Sequence, residues 1–164
     1  MPREDLVDHI ITQWAKERPE LDTSGFAVVG RLLILGRVLE RRVKATLAGL
    51  DLELWAFDVL ATLRRQGSPY ELASGELSRA VLLSPGAMTN RVERLEASGL
   101  VTRVVDPHDR RGVRVRLTAA GRVLVDRALG LRFDEATAAV ESLPDRDRAT
   151  LVRLLRKLGL ALGD

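Results

Sequence analysis

The sequence predicts a mainly α fold of six to seven helices carrying one two-stranded β hairpin. Three observations predict it. Apolar residues recur at helical spacing through most of the chain. Ser84-Pro85 and Gly99 bracket one short helix with a start and a stop signal. Two strand-like stretches, separated by a charged tip, follow that helix directly.

Each element has its own reason. In residues 4–17, Leu6, Val7, Ile10, Ile11 and Trp14 make one helical face. Arg18-Pro19 ends it, because proline cannot continue a helix and restricts the residue before it. Ser24 is placed to cap a long second helix to about Ala48, and Gly49 ends it. Asp51 is placed to cap a third helix through about Gln66, with Gly67-Ser68-Pro69 as a loop. A short helix near Ser74–Val81 leads to a tight turn. Ser84 then serves as N-cap with Pro85 at the first helical position, a strong start signal. That helix runs to Ser98, with Met88, Val92 and Leu95 inward. Gly99 supplies a left-handed stop, and Leu100 the apolar contact that accompanies it. Residues 100–105 and 113–117 read as strands around the tip Asp106-Pro107-His108-Asp109-Arg110-Arg111-Gly112. Thr118 caps a long helix to about Glu141. Pro144 opens a last one, striped by Leu151, Leu154, Leu155, Leu158 and Leu162.

Composition narrows the function. A chain of 164 residues fits one domain with a real core. The absence of cysteine rules out disulfides, thiolate metal sites and thiol chemistry. With His9 and His108 as the only histidines, a histidine-based metal site is not expected. Gly-rich phosphate loops and nucleophile elbows are missing, so the chain reads as no enzyme and needs no cofactor. No apolar run approaches the ~20 residues that span a bilayer, and the first residues lack a signal-peptide core. The expected location is the cytoplasm.

The net charge is +3, and its placement is informative. From Ser84 to Thr118 there are seven arginines (91, 94, 103, 110, 111, 114 and 116) against four acids, a net of +3. The rest of the chain holds 19 bases and 19 acids. A charge excess gathered in one stretch has the form of a nucleic-acid footprint.

Two helices joined by a tight turn and followed by a two-stranded wing make a winged helix-turn-helix. The second helix offers its amino end to the major groove. Gly86 and Ala87 let the backbone approach, and Thr89 and Asn90 offer hydrogen bonds at base edges. Ser84 and Arg94 complete the candidate DNA-binding set on this helix. A winged helix serving protein–protein assembly without a DNA role is the alternative, and the local charge excess argues against it.

The residues from Leu83 through Glu96, then Gly99-Leu100-Val101, Asp106 to Gly112, and Val115-Arg116-Leu117-Thr118 with Gly121 resemble the MarR family of bacterial transcription regulators. The resemblance covers nearly the full length. It implies an obligate-type homodimer in which residues 1–50 and 118–164 dimerise and residues 51–117 read DNA, all in one continuous fold. It implies a palindromic operator, with repression relieved by ligand as the default. It further implies that Asp109 orients Arg111 into the minor groove, with Arg110 as a second wing contact. Narrow minor grooves attract arginine electrostatically.

Asp58 is the one charge between Glu53 and Arg64, inside an apolar stretch, and such a carboxylate is costly unless paired. Arg65 lies two turns further along the same face, roughly 10 Å away. With Trp14 and Arg91, these residues resemble the branch of the family that responds to urate or trans-aconitate. The resemblance implies a ligand site of Trp14, Asp58, Arg65 and Arg91 for a small anion, a urate-like purine or a tricarboxylate. Guanidinium forks suit both.

Overall fold

The structure is a computed structural model and describes residues 4–107 and 112–163. His108, Asp109, Arg110 and Arg111 lie outside the described residues, so the expected wing contacts Asp109, Arg110 and Arg111 do as well. The described chain falls into two compact units, Met1–Arg42 and Val43–Asp164.

The first unit holds α1 (Leu6–Glu17) and most of α2 (Ser24–Ala48). Asp5 caps α1: its carboxylate accepts from the Val7 and Asp8 amides at 2.8 and 3.0 Å. Asp8 answers by accepting from the Asp5 amide, which closes a capping box. Arg31 of α2 donates to both carboxylates and so ties α1 to α2. The Asp8 carboxyl is held below its ordinary value, first by the Asp5 backbone and then by Arg31.

The second unit begins with the end of α2, whose Leu47 is fully buried. It continues with α3 (Leu54–Arg64), β1 (Glu71–Ala73), α4 (Ser74–Ala80), α5 (Pro85–Ala97), β2 (Val101–Val105), β3 (Val113–Leu117), α6 (Ala119–Ala139) and α7 (Asp145–Leu162). The seven helices and the hairpin agree with the expected fold class.

Two details differ from the sequence reading. First, Asp51 does not cap α3. It adopts a left-handed φ of 50° in the link between helices, a conformation Asp tolerates, and Glu53 takes the N-cap position instead. Second, the sheet has three strands in the order β1-β3-β2, because Leu72 pairs antiparallel with Val115. A three-residue strand shows no period of its own, so the sequence offers no sign of it. The leucine stripe of α7 is open, as expected of a terminal segment that needs a partner surface: Leu151, Leu154, Leu155 and Leu162 are all exposed in the single chain.

The core lies where α3, α5, α6 and the sheet meet. Met88, Val92 and Leu95 are buried as expected, against Val59, Leu60, Leu63, Val115 and Val125. The wing joins α6 at Thr118, whose hydroxyl donates to the Gly99 carbonyl at 2.7 Å and accepts from the Gly121 amide at 3.0 Å. Gly121 allows this approach. A β-carbon there would stand 2.0 Å from the Leu100 carbonyl oxygen.

The α4–α5 turn is a Schellman motif. The Leu83 amide donates to the Ser78 carbonyl at 2.9 Å and the Leu82 amide to the Arg79 carbonyl at 3.2 Å. Leu82 occupies the position that glycine usually fills, with φ of 55° and a side chain 93% exposed. A left-handed leucine costs about 1–2 kcal/mol, and here no packing offsets it. Leu82→Gly is therefore expected to raise unfolding stability by about 0.5–1 kcal/mol, after the unfolded-state entropy of glycine is subtracted. Urea denaturation checks this, and an unchanged or lowered midpoint contradicts it.

Candidate functional site

The amino end of α5 is exposed and capped. The Ser84 hydroxyl accepts from the Ala87 amide at 3.4 Å and caps the helix. Ser84, Gly86, Ala87, Thr89 and Asn90 are all exposed, while Met88 between them is buried. The expected base-reading residues thus share the free first turns of one helix. A β-carbon on Gly86 would meet nothing within 4 Å, so glycine keeps this surface bare.

The arginines are less free than their count along the chain suggests. Arg94 pairs with Glu53 at 2.9 Å. Arg103 pairs with Glu93 and Glu96 at 3.6 and 3.3 Å. Arg114 bridges Glu71 and Asp106, both at 3.0 Å, and Arg116 reaches Glu71 at 2.6 Å. Glu53 and Glu71 lie outside the stretch that carries the charge excess, and folding brings them onto it. Among the expected DNA contacts, Arg94 is therefore engaged within the protein. Arg114 and Arg116 stiffen the root of the wing, since Glu71 of β1 holds two guanidinium groups of β3.

The residues expected to sense a ligand divide between the units. Trp14 lies in the first, on α1, 48% exposed. Asp58, Arg65 and Arg91 lie in the second and are brought together there. Asp58 stands between buried Phe57 and Val59 on the outer side of α3, so it is not enclosed in apolar surroundings as the sequence suggests. Packing still strips enough hydration to push its carboxyl above the ordinary value. Arg91, then Arg132, then Arg65 pull the other way through space. Arg65 forms the C-cap of α3. A cleft of about 310 Å³ opens beside these groups, with Asp58, Arg65 and Thr62 on one wall and Leu82 on the other. A second cleft of about 580 Å³ shares Arg65 and adds Arg132 and Phe133 of α6.

Two residues were missed by sequence reasoning. Arg132 is 67 positions from Arg65, and no local period links them. Trp55 is legible in retrospect, because it precedes Asp58 by one helical turn. Arg91 and Arg94 lie over its ring, 5.5 and 4.6 Å from the ring centre.

Among known proteins, the MarR family model matches residues 50–112. The chain is 30% identical over 152 residues to the HTH-type transcriptional regulator PecS of Dickeya dadantii (strain 3937), covering 93% of this chain and 92% of that protein. A crystal structure of mutant MarR from E. coli complexed with operator DNA matches with a TM-score of 0.71 at 27% identity, over 94% of this chain and 99% of that one. Bordetella bronchiseptica BpsR, from a structure concerned with regulation of its DNA binding by 6-hydroxynicotinic acid, matches with a TM-score of 0.70 at 28% identity, over 80% of this chain and 92% of that one. No described helix is long and apolar enough to cross a membrane.

The raised Asp58 carboxyl has a consequence for stability. The folded chain holds its proton to higher pH than the unfolded chain, whose value is the ordinary 3.8. Stability is therefore lost as pH rises from 3.8 through the raised value. Asp58→Asn, neutral throughout, is expected to unfold at a higher temperature than the wild type at pH 7. The difference should vanish below pH 3.8, where both side chains are neutral. Thermal unfolding at a series of pH values reads this. A variant less stable than the wild type at pH 7 contradicts it.

Proposed function

This chain belongs to the MarR family of winged-helix transcriptional regulators, and from that premise we propose that it is a repressor that binds a palindromic operator as a homodimer and is released by a small anionic metabolite. One observation carries the reading: Arg91 belongs to the helix that offers its first turns to DNA, and it is also the foremost charge acting on Asp58 beside the cleft. An event in the cleft thus has a direct line to the reading helix.

Ser84, Gly86, Ala87, Thr89 and Asn90 enter the major groove. Arg111, oriented by Asp109, enters the minor groove, with Arg110 on the backbone. The dimer rests on the apolar surfaces of residues 1–50 and 118–164. The open stripe of α7 and the exposed Phe26, Leu33 and Leu39 of α2 support this, since apolar surface of that extent marks an interaction site. Arg65 and Arg132 offer guanidinium groups to an anion, Arg132 while paired with Glu135 at 3.1 Å. The bound anion draws Arg91 away from Asp58 and repels that carboxylate. The reading helix then shifts, and the spacing between half-site readers is lost. A urate-like purine or a tricarboxylate such as trans-aconitate suits this charge pattern. The regulation of BpsR by a heteroaromatic acid supports the class.

Two measurements test the reading. Footprinting on the gene's own upstream region should show two half-sites about 10 bp apart, or a multiple of that. Arg111→Ala should weaken that binding by about 1–3 kcal/mol while the dimer persists. A monomer at micromolar concentration, with no preference over random duplex, overturns the reading and returns the chain to an assembly role.

Urate and trans-aconitate titrated against the preformed complex form the second test. The effective compound should dissociate it, and operator DNA should weaken binding of that compound by the same factor, about 5–150-fold. Trp14→Phe separates the two tryptophan signals and shows whether α1 takes part. A full response in both Asp58→Asn and Arg65→Ala places the sensing site elsewhere.

A further inference from the structure

Trp55 and Asp58 stand three residues apart on α3, and Arg91 and Arg94 stand three residues apart on α5. Residues so spaced are neighbours on one helix face. The two pairs meet. Arg94 lies 4.6 Å and Arg91 5.5 Å from the Trp55 ring centre, within the reach of a cation–π contact. Glu53 closes the circuit. One of its carboxylate oxygens accepts from the Trp55 indole N–H at 2.7 Å and the other from Arg94 at 2.9 Å. Glu53 occupies the N-cap of α3 yet makes no side-chain cap bond, because its carboxylate is committed to this contact.

This arrangement does something the buried stripe of α5 does not. Met88, Val92 and Leu95 hold α5 against the core and fix which face is inward, but apolar contact is non-directional and sets the fine angle of the helix less sharply than a directional contact does. Two guanidinium groups seated on one ring, one of them also tied to a carboxylate, are directional. We propose that Trp55 is a positioning residue for DNA reading, the seat that sets the angle at which α5 presents its first turns. The inference rests on the reading of α5 as the DNA-binding helix. It assigns to Arg94 a role through Trp55 and Glu53 rather than through a phosphate. It also gives Arg91 two partners one turn apart, the ring of Trp55 and the charge of Asp58. A cleft-bound anion that draws Arg91 from Asp58 therefore removes one of the two anchors of that side chain.

The test measures binding to the footprinted upstream duplex, at several salt concentrations, for the wild type, Trp55→Phe, Trp55→Leu, Arg94→Met and the double variant Trp55→Leu/Arg94→Met. Trp55→Phe, which keeps an aromatic face, is expected to stay within about threefold of the wild type, and Trp55→Leu to bind about 3–30-fold more weakly. Arg94→Met should lose a similar factor, and the double variant no more than the worse single one, because both remove the same contact. The salt slope should stay that of the wild type in all of them. Wild-type affinity in Trp55→Leu overturns the inference. So do losses that multiply in the double variant, or a slope reduced by about 1 in Arg94→Met, the mark of a lost phosphate contact. Circular dichroism checks folding. If Trp55→Leu does not fold, Glu53→Gln carries the test, since it keeps the ring and frees Arg94. A weakened complex with an unchanged slope is then expected, and wild-type affinity overturns the proposal. A wild-type chain that binds no duplex at all is a different result, and it removes the DNA reading itself.

Discussion

The burial of three side chains on one face of α5 is the constraint on which the rest depends. Met88, Val92 and Leu95 commit that face to the core beneath α3, α6 and the sheet. The opposite face and the first turns are then left in solvent by geometry alone, since a helix has only one inward stripe. Small residues at Gly86 and Ala87 keep that free end accessible, and the Ser84 cap keeps it helical. Two backbone hydrogen bonds close the preceding turn around a leucine in a left-handed conformation. The exposed end of α5 is thus a by-product of how its other face packs.

Electrostatics is where folding changes the picture most. An arginine-rich stretch suggests an open basic surface, yet Glu53 and Glu71 return from earlier in the chain and occupy its guanidinium groups. Arg114 and Arg116 become struts of the wing, and Arg94 becomes a link between α3 and α5. Partly screened ion pairs of this kind contribute little to stability individually. Their value here is directional, because a bidentate or bridged guanidinium fixes an angle that apolar contact does not. The charge that remains for a polyanion is consequently smaller and more localised than the tally along the chain.

Asp58 runs against that economy. Its carboxyl is kept in a place that disfavours its charge, with three arginines close enough to be felt but none bonding it directly. Arg65 and Arg132 face the same cleft from α3 and α6, and Arg132 is paired there with Glu135 at 3.1 Å. One of the three arginines that act on Asp58, Arg91, belongs to α5.

The sequence alone determined what rests on local signals. The helix periods, the Ser84-Pro85 start, the Gly99 stop with φ of 70°, the two wing strands and the Thr118 cap all follow from residues within a few positions of one another, and all are found. The buried stripe of α5 and the placement of Arg65 along the face of Asp58 were legible for the same reason, because helical spacing implies them, whereas Arg91 joined Asp58 only through the family resemblance. Only the tertiary structure decided what depends on distant residues. The third strand is too short to show a period and exists because Leu72 finds Val115. Asp51 looks like a cap until the path between helices forces it left-handed. The partners of the arginines, the approach of Arg132 to Asp58 and the seating of Arg91 and Arg94 on Trp55 join residues tens of positions apart. Such pairings have no period in the chain, because the backbone path brings them together and neither local propensity nor composition records that path.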